Sequence, residues 1–426
     1  MEIIKYPLRQ DWMRIVERPH LDVRALNDTV ASILSDIRER GDAAVKEYVA
    51  RFQGANLDTL EVSPEEKRAA EKLVSPLLKE ALATARDNIA RFHASQALTP
   101  KKIETSPGVF CWQKSVAIDK VGLYIPGGTA PLFSTVLMLA VPARVAGCSE
   151  IVLCTPCAAD GTVHPAVLYA AQVAGVDRIF KLGGVQAIGA MAYGTESLLG
   201  VYKIFGPGNQ YVTAAKQQVS REGVAIDMPA GPSEVAVIAD ASSNPAFVAS
   251  DFLSQAEHGA DSQSVLFTTD ESILAPLQAE IERQLALLPR KELTAKSLEH
   301  SRLVLLRDVD ELIDITNLYA PEHLIIQSAD YWQIAERIVN AGSVFLGPYT
   351  PESAGDYASG TNHTLPTGGY ARAYSGVNLD SFIRKITFQE ISREGLAGLA
   401  PTIETMAAGE GLDAHKNAVS IRVKEL

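Results

Sequence analysis

The sequence predicts an α/β protein, with two consecutive units of parallel strands and helical crossovers behind a helical N-terminal segment. Three observations carry this. Apolar residues recur at helical spacing over roughly the first hundred positions, short apolar runs alternate with helix-like stretches from about residue 119, and the alternation restarts near residue 235. A chain of 426 residues exceeds what one hydrophobic core usually serves. The expected division is 1–118 (helical, packing on the second α/β domain), 119–234 (first α/β domain), 235–374 (second α/β domain) and 375–426 (C-terminal tail).

Taken in order, Val30, Ile33, Leu34 and Ile37 fall at i, i+3, i+4, i+7, after Asn27 and Asp28 as capping candidates and before Gly41 as a stop. Val45, Tyr48, Val49 and Phe52 repeat the pattern. Ser63-Pro64-Glu65-Glu66 reads as a capping box with proline at the first helical position, opening a long helix towards His93. The first α/β unit has strand candidates at 121–125, 151–154, 179–182 and 201–205, with helices near 133–146, 166–173 and 185–192. The second has strands at 235–238, 264–268, 303–306, 324–327 and 343–346. The units match in size, which points to architectural duplication without a residue-level repeat. After about residue 375 the sequence is helix-compatible again and ends in a strand-like run at 419–423.

Composition narrows the function. Lys plus Arg is 39 and Asp plus Glu is 51, a net charge of −12, which argues against nucleic acid or an anionic membrane as partner. No run approaches 18 apolar residues, and residues 1–10 lack the pattern of a secretory signal, so a cytoplasmic protein is expected. Cys111, Cys148, Cys154 and Cys157 are too few and too clustered for a disulfide framework. Cys154-Thr155-Pro156-Cys157 lacks the second pair of a zinc ribbon, and its first cysteine completes an apolar run. Small buried thiols are expected. A catalytic thiolate at Cys111, Cys148 or Cys154, as in a cysteine-dependent aldehyde dehydrogenase, is the alternative.

Glycine-rich turns follow three strand candidates: Tyr124-Ile125-Pro126-Gly127-Gly128, Gly183-Gly184-Val185-Gln186 and Gly206-Pro207-Gly208-Asn209. At the carboxyl ends of parallel strands such turns admit a phosphate, although none carries the GxGxxG fingerprint. They equally serve as plain αL turns. Gln255 and His258, three apart at a helix end, can share one face and converge on an ion. A surface helix end with a capping histidine has the same spacing. Glu322 and His323 stand at a strand entrance, where a carboxylate and an imidazole supply two acid–base groups; an idle loop pair reads the same. The polar stretch 351–363 offers Asp356 as a hard oxygen ligand and His363 as a substrate contact, or is a solvated loop. His415 lies near the end of the chain.

Together these segments resemble one family. Val121-Gly122-Leu123-Tyr124-Ile125-Pro126-Gly127-Gly128-Thr129-Ala130-Pro131, Phe205-Gly206-Pro207-Gly208-Asn209, Ala230-Gly231-Pro232-Ser233-Glu234, Ser254-Gln255-Ala256-Glu257-His258, Ala320-Pro321-Glu322-His323-Leu324, Gly355-Asp356-Tyr357 and Asn362-His363-Thr364-Leu365-Pro366-Thr367 look like histidinol dehydrogenase, in order and spacing. The resemblance implies oxidation of L-histidinol to L-histidine through bound L-histidinal, with two NAD reduced, as the last step of histidine biosynthesis. It implies Zn2+ held by Gln255, His258, Asp356 and His415, the last from the partner of a homodimer with shared sites. It makes Glu322 and His323 the acid–base pair. Ser233, Gln255, His258, His323, Asp356, His363, Glu410 and His415 become substrate contacts, and Tyr124, Gln186 and Asn209 cofactor contacts. The implied fold is two Rossmann-like three-layer α/β/α domains with aldehyde-dehydrogenase-like topology and an extended C-terminal tail.

Overall fold

Short runs of β-branched and aliphatic residues form fourteen strands among the residues described by the computed structural model, namely 1–19, 24–127, 131–229 and 231–425. Gly128, Thr129 and Ala130 of the first glycine-rich turn, Ala230 and His20 lie outside the described residues. In chain order the strands are β1 (Glu2–Lys5), β2 (Ile103–Ser106), β3 (Val109–Ala117), β4 (Lys120–Tyr124), β5 (Glu150–Cys154), β6 (Arg178–Phe180) and β7 (Lys203–Phe205). They continue as β8 (Ala225–Ile226), β9 (Glu234–Ala239), β10 (Gln263–Thr268), β11 (Arg302–Leu305), β12 (His323–Gln327), β13 (Ser343–Leu346) and β14 (Ile383–Ile391).

The fold is α/β with parallel sheets. One sheet runs β6-β5-β4-β7-β8 and a second runs β1-β11-β10-β9-β12-β13, every pairing in both being parallel. In each, the chain steps outward through three strands and then returns to the other side of the first, so β4 and β9 occupy equivalent places. Parallel strands buried on both faces read as continuous apolar runs, and β9 and β10 are buried at every position. That is why all nine strand candidates of the sequence reappear, with ends shifted by at most two residues.

Other elements depart from expectation. β1 joins the edge of the second sheet, in a segment that reads as helical. An antiparallel sheet, β14-β3-β2, joins residues near 110 to residues near 388. The helix expected to run from Ser63 to His93 is two helices, Pro64–Leu73 and Pro76–Ala94. Pro76 disfavours helical geometry at Ser75, which is extended and caps the second helix by accepting from the Leu78 N–H at 3.3 Å. The run 419–423 belongs to a helix, Asp413–Val423, because no sheet edge reaches it and a helix satisfies its own backbone.

The docking of the N-terminal helices is a correction. The helices from Arg24 to Ala94 pack on the first sheet's helices and share its core, whereas the short helix Trp12–Ile15 is buried against the second sheet as expected. Leu34 and Ile37 lie directly over Gly189 of the helix Gly184–Tyr193, where a Cβ would meet Ile37 Cδ1 at 2.8 Å. The small residue permits the approach, and the apolar face read from the sequence fills it. No helix among the described residues is long and apolar enough to cross a membrane.

Candidate functional site

Two regions gather the residues singled out by sequence. The first is a cavity of about 1420 Å³ at the carboxyl ends of the first sheet's strands. Tyr124, Gln186 and Asn209 all line it, with Gly127, Pro156 and Gly184. The strand order reverses between β5 and β7 across β4, the place where open α/β sheets bind ligands. Tyr124 Oη accepts from the Gly184 N–H at 3.0 Å, and burial pushes its hydroxyl pKa up. Asn209 Oδ1 is committed to capping the helix Gln210–Arg221, accepting from Tyr211 and Val212 N–H at 3.0 and 3.2 Å. The volume exceeds that of a drug-sized pocket and suits a dinucleotide.

The second region lies at the opposite, amino-terminal edge of the second sheet. Ser233 precedes β9, His258 precedes β10, and Glu322 leads into His323, the first residue of β12. His323 pairs in register with Val235, so β9 and β12 bring these loops together. Glu322 Oε2 accepts from the Glu234 N–H at 3.0 Å. The helix Pro245–Ala256, capped by Asn244, presents Gln255 near its end and contacts the short helix Glu352–Tyr357. Glu352 and Asp356 are four apart on that helix and share a face.

The electrostatics centre on His323. Its Nδ1 lies 3.8 Å from Glu322 Oε2 and 3.7 Å from Glu352 Oε1, and its Nε2 lies 3.7 Å from Asp356 Oδ1. These are ion-pair rather than hydrogen-bond distances. Burial works against charge on the ring, yet Glu352, Glu322 and Asp356 outweigh it and lift its pKa to about 10. Burial pushes Glu322 up to about 7 and Glu352 up to about 8, both against the pull of His323. Asp356, although burial opposes it, is held below the usual carboxylate value by His323 beside it. His363 closes the group, with Nδ1 3.0 Å from the Asp356 carbonyl oxygen and Nε2 3.1 Å from Thr135 Oγ1. Burial pushes its pKa down, against Asp356.

Unmet polar atoms show what this edge is built for. Gln255 is fully buried, and neither its Oε1 nor its Nε2 has a partner. Both carboxylate oxygens of Glu352, Oδ1 of Asp356 and both ring nitrogens of His323 are likewise buried and unmatched. Native proteins leave few such atoms, so a concentration of them marks a place for a ligand or ion. Donor atoms of His258, Glu352 and Asp356 lie within 4.8 Å of one another. This set of carboxylates and an imidazole, with an amide nearby, fits a divalent cation. A cation there would offset two of the carboxylates that hold the proton on His323.

Glu352 is the residue sequence reasoning missed. The stretch 351–363 reads as a loop, and the available signal was the i, i+4 spacing of Glu352 and Asp356. His415 and Glu410 stand exposed on the C-terminal arm, and His415 is not among the donors gathered around His258. All four cysteines are free. Burial pushes the Cys154 and Cys157 thiols up and Cys148 up to about 11, the reverse of what a thiolate nucleophile needs.

Comparison with known proteins agrees with this geometry. The family model described as histidinol dehydrogenase matches residues 16–423. The histidinol dehydrogenase of Bacteroides thetaiotaomicron is 64% identical over 426 residues, covering 100% of both chains. That of Shigella sonnei is 52% identical over 416 residues, covering 97% of this chain and 95% of its own. The crystal structure of histidinol dehydrogenase from Elizabethkingia anophelis superposes with a TM-score of 0.98 at 52% identity, covering 100% of this chain and 98% of that one. The motifs, the paired parallel sheets and these full-length matches have one explanation: the chain belongs to the histidinol dehydrogenase family.

Proposed function

We propose that this chain is a zinc-dependent, NAD-linked enzyme that oxidises L-histidinol to L-histidine through bound L-histidinal, the last step of histidine biosynthesis. It would act in the cytoplasm as a homodimer with shared sites. The domain division 1–118, 119–234, 235–374 and 375–426 belongs to the same reading. The observation that carries it is the gathering of the His258, Glu352 and Asp356 donors, with the buried, unpartnered Gln255 amide three residues before His258 in the chain. Gln255, His258 and Asp356 would hold zinc, completed by the partner subunit's His415. Tyr124, Gln186 and Asn209 would hold NAD in the cavity of the first sheet.

When bound, zinc supplies a grip on the substrate's imidazole and amino nitrogens, and NAD supplies the hydride acceptor. The protein's own residues do the rest. His323 takes the alcohol proton in the first oxidation and acts again in the second. Glu322 takes a proton from the water that adds to the aldehyde; at about pH 7 its carboxyl is poised for that exchange. Ser233, His363 and Glu410 orient the substrate. Keeping the aldehyde at a buried edge protects it from side reactions.

The test is NADH formation with L-histidinol and zinc. About two NADH per histidinol consumed, with histidine as product, support the four-electron reading; about one, with histidinal as product, would reduce it to a simple alcohol dehydrogenase. Replacing all four cysteines by serine should leave activity largely intact; its loss in a folded variant would favour a thiol mechanism.

A further inference from the structure

Glu322 can act on water only if its carboxylate holds one orientation, and the donor on its Oε2 is the Glu234 N–H at 3.0 Å. Glu234 carries a buried carboxylate of its own, 1% exposed. Arg18, in the segment after the helix Trp12–Ile15, forks onto it. Its Nε donates to Oε2, and its Nη2 donates to Oε1 at 2.8 Å. The same Nη2 also donates to the Tyr319 carbonyl at 2.5 Å, and the guanidinium carbon lies 4.1 Å from the Tyr319 ring centroid. Tyr319 is fixed in turn, its hydroxyl donating to Gln263 Oε1 at 2.8 Å.

Tyr319 is the last residue of the helix Val309–Tyr319, and the next four residues are Ala320, Pro321, Glu322 and His323. Ala320 turns the chain at φ 51°, a left-handed conformation that a residue with a Cβ keeps only where its surroundings impose it. Arg18 therefore touches both supports of Glu322: the strand end whose N–H grips the carboxylate, and the strained turn that delivers it. A lysine could not do both, because it lacks the planar fork.

We infer that Arg18 is a positioning residue for Glu322, tying the side chain of Glu234 to Tyr319 at the start of the turn so that the Glu322 carboxylate faces the site. The inference rests on the base role proposed for Glu322. A clamp that served stability alone would alter melting and leave turnover of the folded enzyme unchanged.

The experiment uses the zinc-loaded full chain and follows NADH with L-histidinol or with L-histidinal as substrate. Four variants are needed: Arg18→Lys, Arg18→Met, Arg18→Met combined with Glu234→Gln, and Glu322→Gln. In Arg18→Met, kcat with histidinal should fall about tenfold or more while KM for histidinol moves less than about threefold. Arg18→Lys should show the same split more weakly, and it carries the test if Arg18→Met does not fold. Adding Glu234→Gln to Arg18→Met should recover about threefold by removing the uncompensated buried carboxylate. If kcat with histidinal stays within about twofold of wild type in the folded Arg18 variants while Glu322→Gln is impaired, Arg18 does not position the base. If Glu322→Gln itself oxidises histidinal normally, the base role is wrong instead.

Discussion

At the scale of single residues, the site is built from groups that cost the metal-free fold stability. Gln255 buries an amide with no partner, a penalty of about 1–3 kcal/mol. Gln255→Leu should therefore raise the melting temperature of the metal-stripped protein, or leave it unchanged, while zinc retained after dialysis falls. A variant that loses stability and keeps its zinc would show that the amide is not held for an ion. Asp251, one turn earlier on the same helix, belongs to the same pattern. Burial lifts its carboxyl from 3.8 to about 7, against the hydrogen bond from Gln327 at 2.5 Å. The native state then binds this proton more tightly than the unfolded chain does, so stability falls as pH rises from about 4 to about 7. Asp251→Asn should remove that slope, adding on the order of 2–4 kcal/mol at pH 8 and almost nothing at pH 4. Denaturant midpoints at the two pH values decide it: an equal gain at both would exclude ionisation as the cause. Sequence alone showed the Gln255–His258 spacing but not these penalties. Burial and the absence of a partner are properties of the folded chain, and the family resemblance, not the spacing, promoted the pair over a capped helix end.

At the scale of elements, sequence was most informative where a strand is buried on both faces. β9, β10 and β12 are continuous apolar runs, with β-branched and aromatic residues prominent, and no helix competes for them. β14 is exposed along nearly all its length in the single chain, so it shows no apolar run to read, and its partner β3 lies some 270 residues away. The helix Glu352–Tyr357 was hidden differently: six residues rich in polar side chains and glycine look like a loop. Its position depends on Gly355, where a Cβ would meet Phe345 Cε1 at 2.7 Å and Cζ at 2.9 Å. Phe345 in turn lies 5.9 Å from the His323 ring, centroid to centroid. Gly355→Ala should thus push the helix off β13 and cost about 1–3 kcal/mol through overpacking. It should also weaken zinc retention, because Glu352 and Asp356 move with their helix. Phe345→Leu in the same chain should restore part of both. Unchanged melting in Gly355→Ala would mean that Phe345 yields freely and the helix is not held by this contact.

At the scale of the whole molecule, the two sheets contribute opposite edges, one offering the carboxyl ends of its strands and the other its amino ends. Neither unit alone holds both the cavity and the acid–base pair. Under the proposed function, the C-terminal arm extends the same logic beyond one chain. Its helices Arg393–Gly409 and Asp413–Val423 pack on each other, leave Met406, Leu412 and Ile421 exposed, and carry Glu410 and His415 outward. Exposed apolar side chains on the arm that carries His415, the ligand proposed to come from the partner, are what the proposed shared-site homodimer would require of its single chain. Mixed dimers test this directly. Gln255→Ala and His415→Ala chains are each expected to form inactive homodimers. If each site combines Gln255 of one chain with His415 of the other, a heterodimer has one doubly defective site and one intact site. Random reassortment of equal amounts should then return about a quarter of wild-type activity, since half the dimers are mixed and each has one working site. Had His415 acted within its own chain, every site in the mixture would lack one ligand and no activity would return.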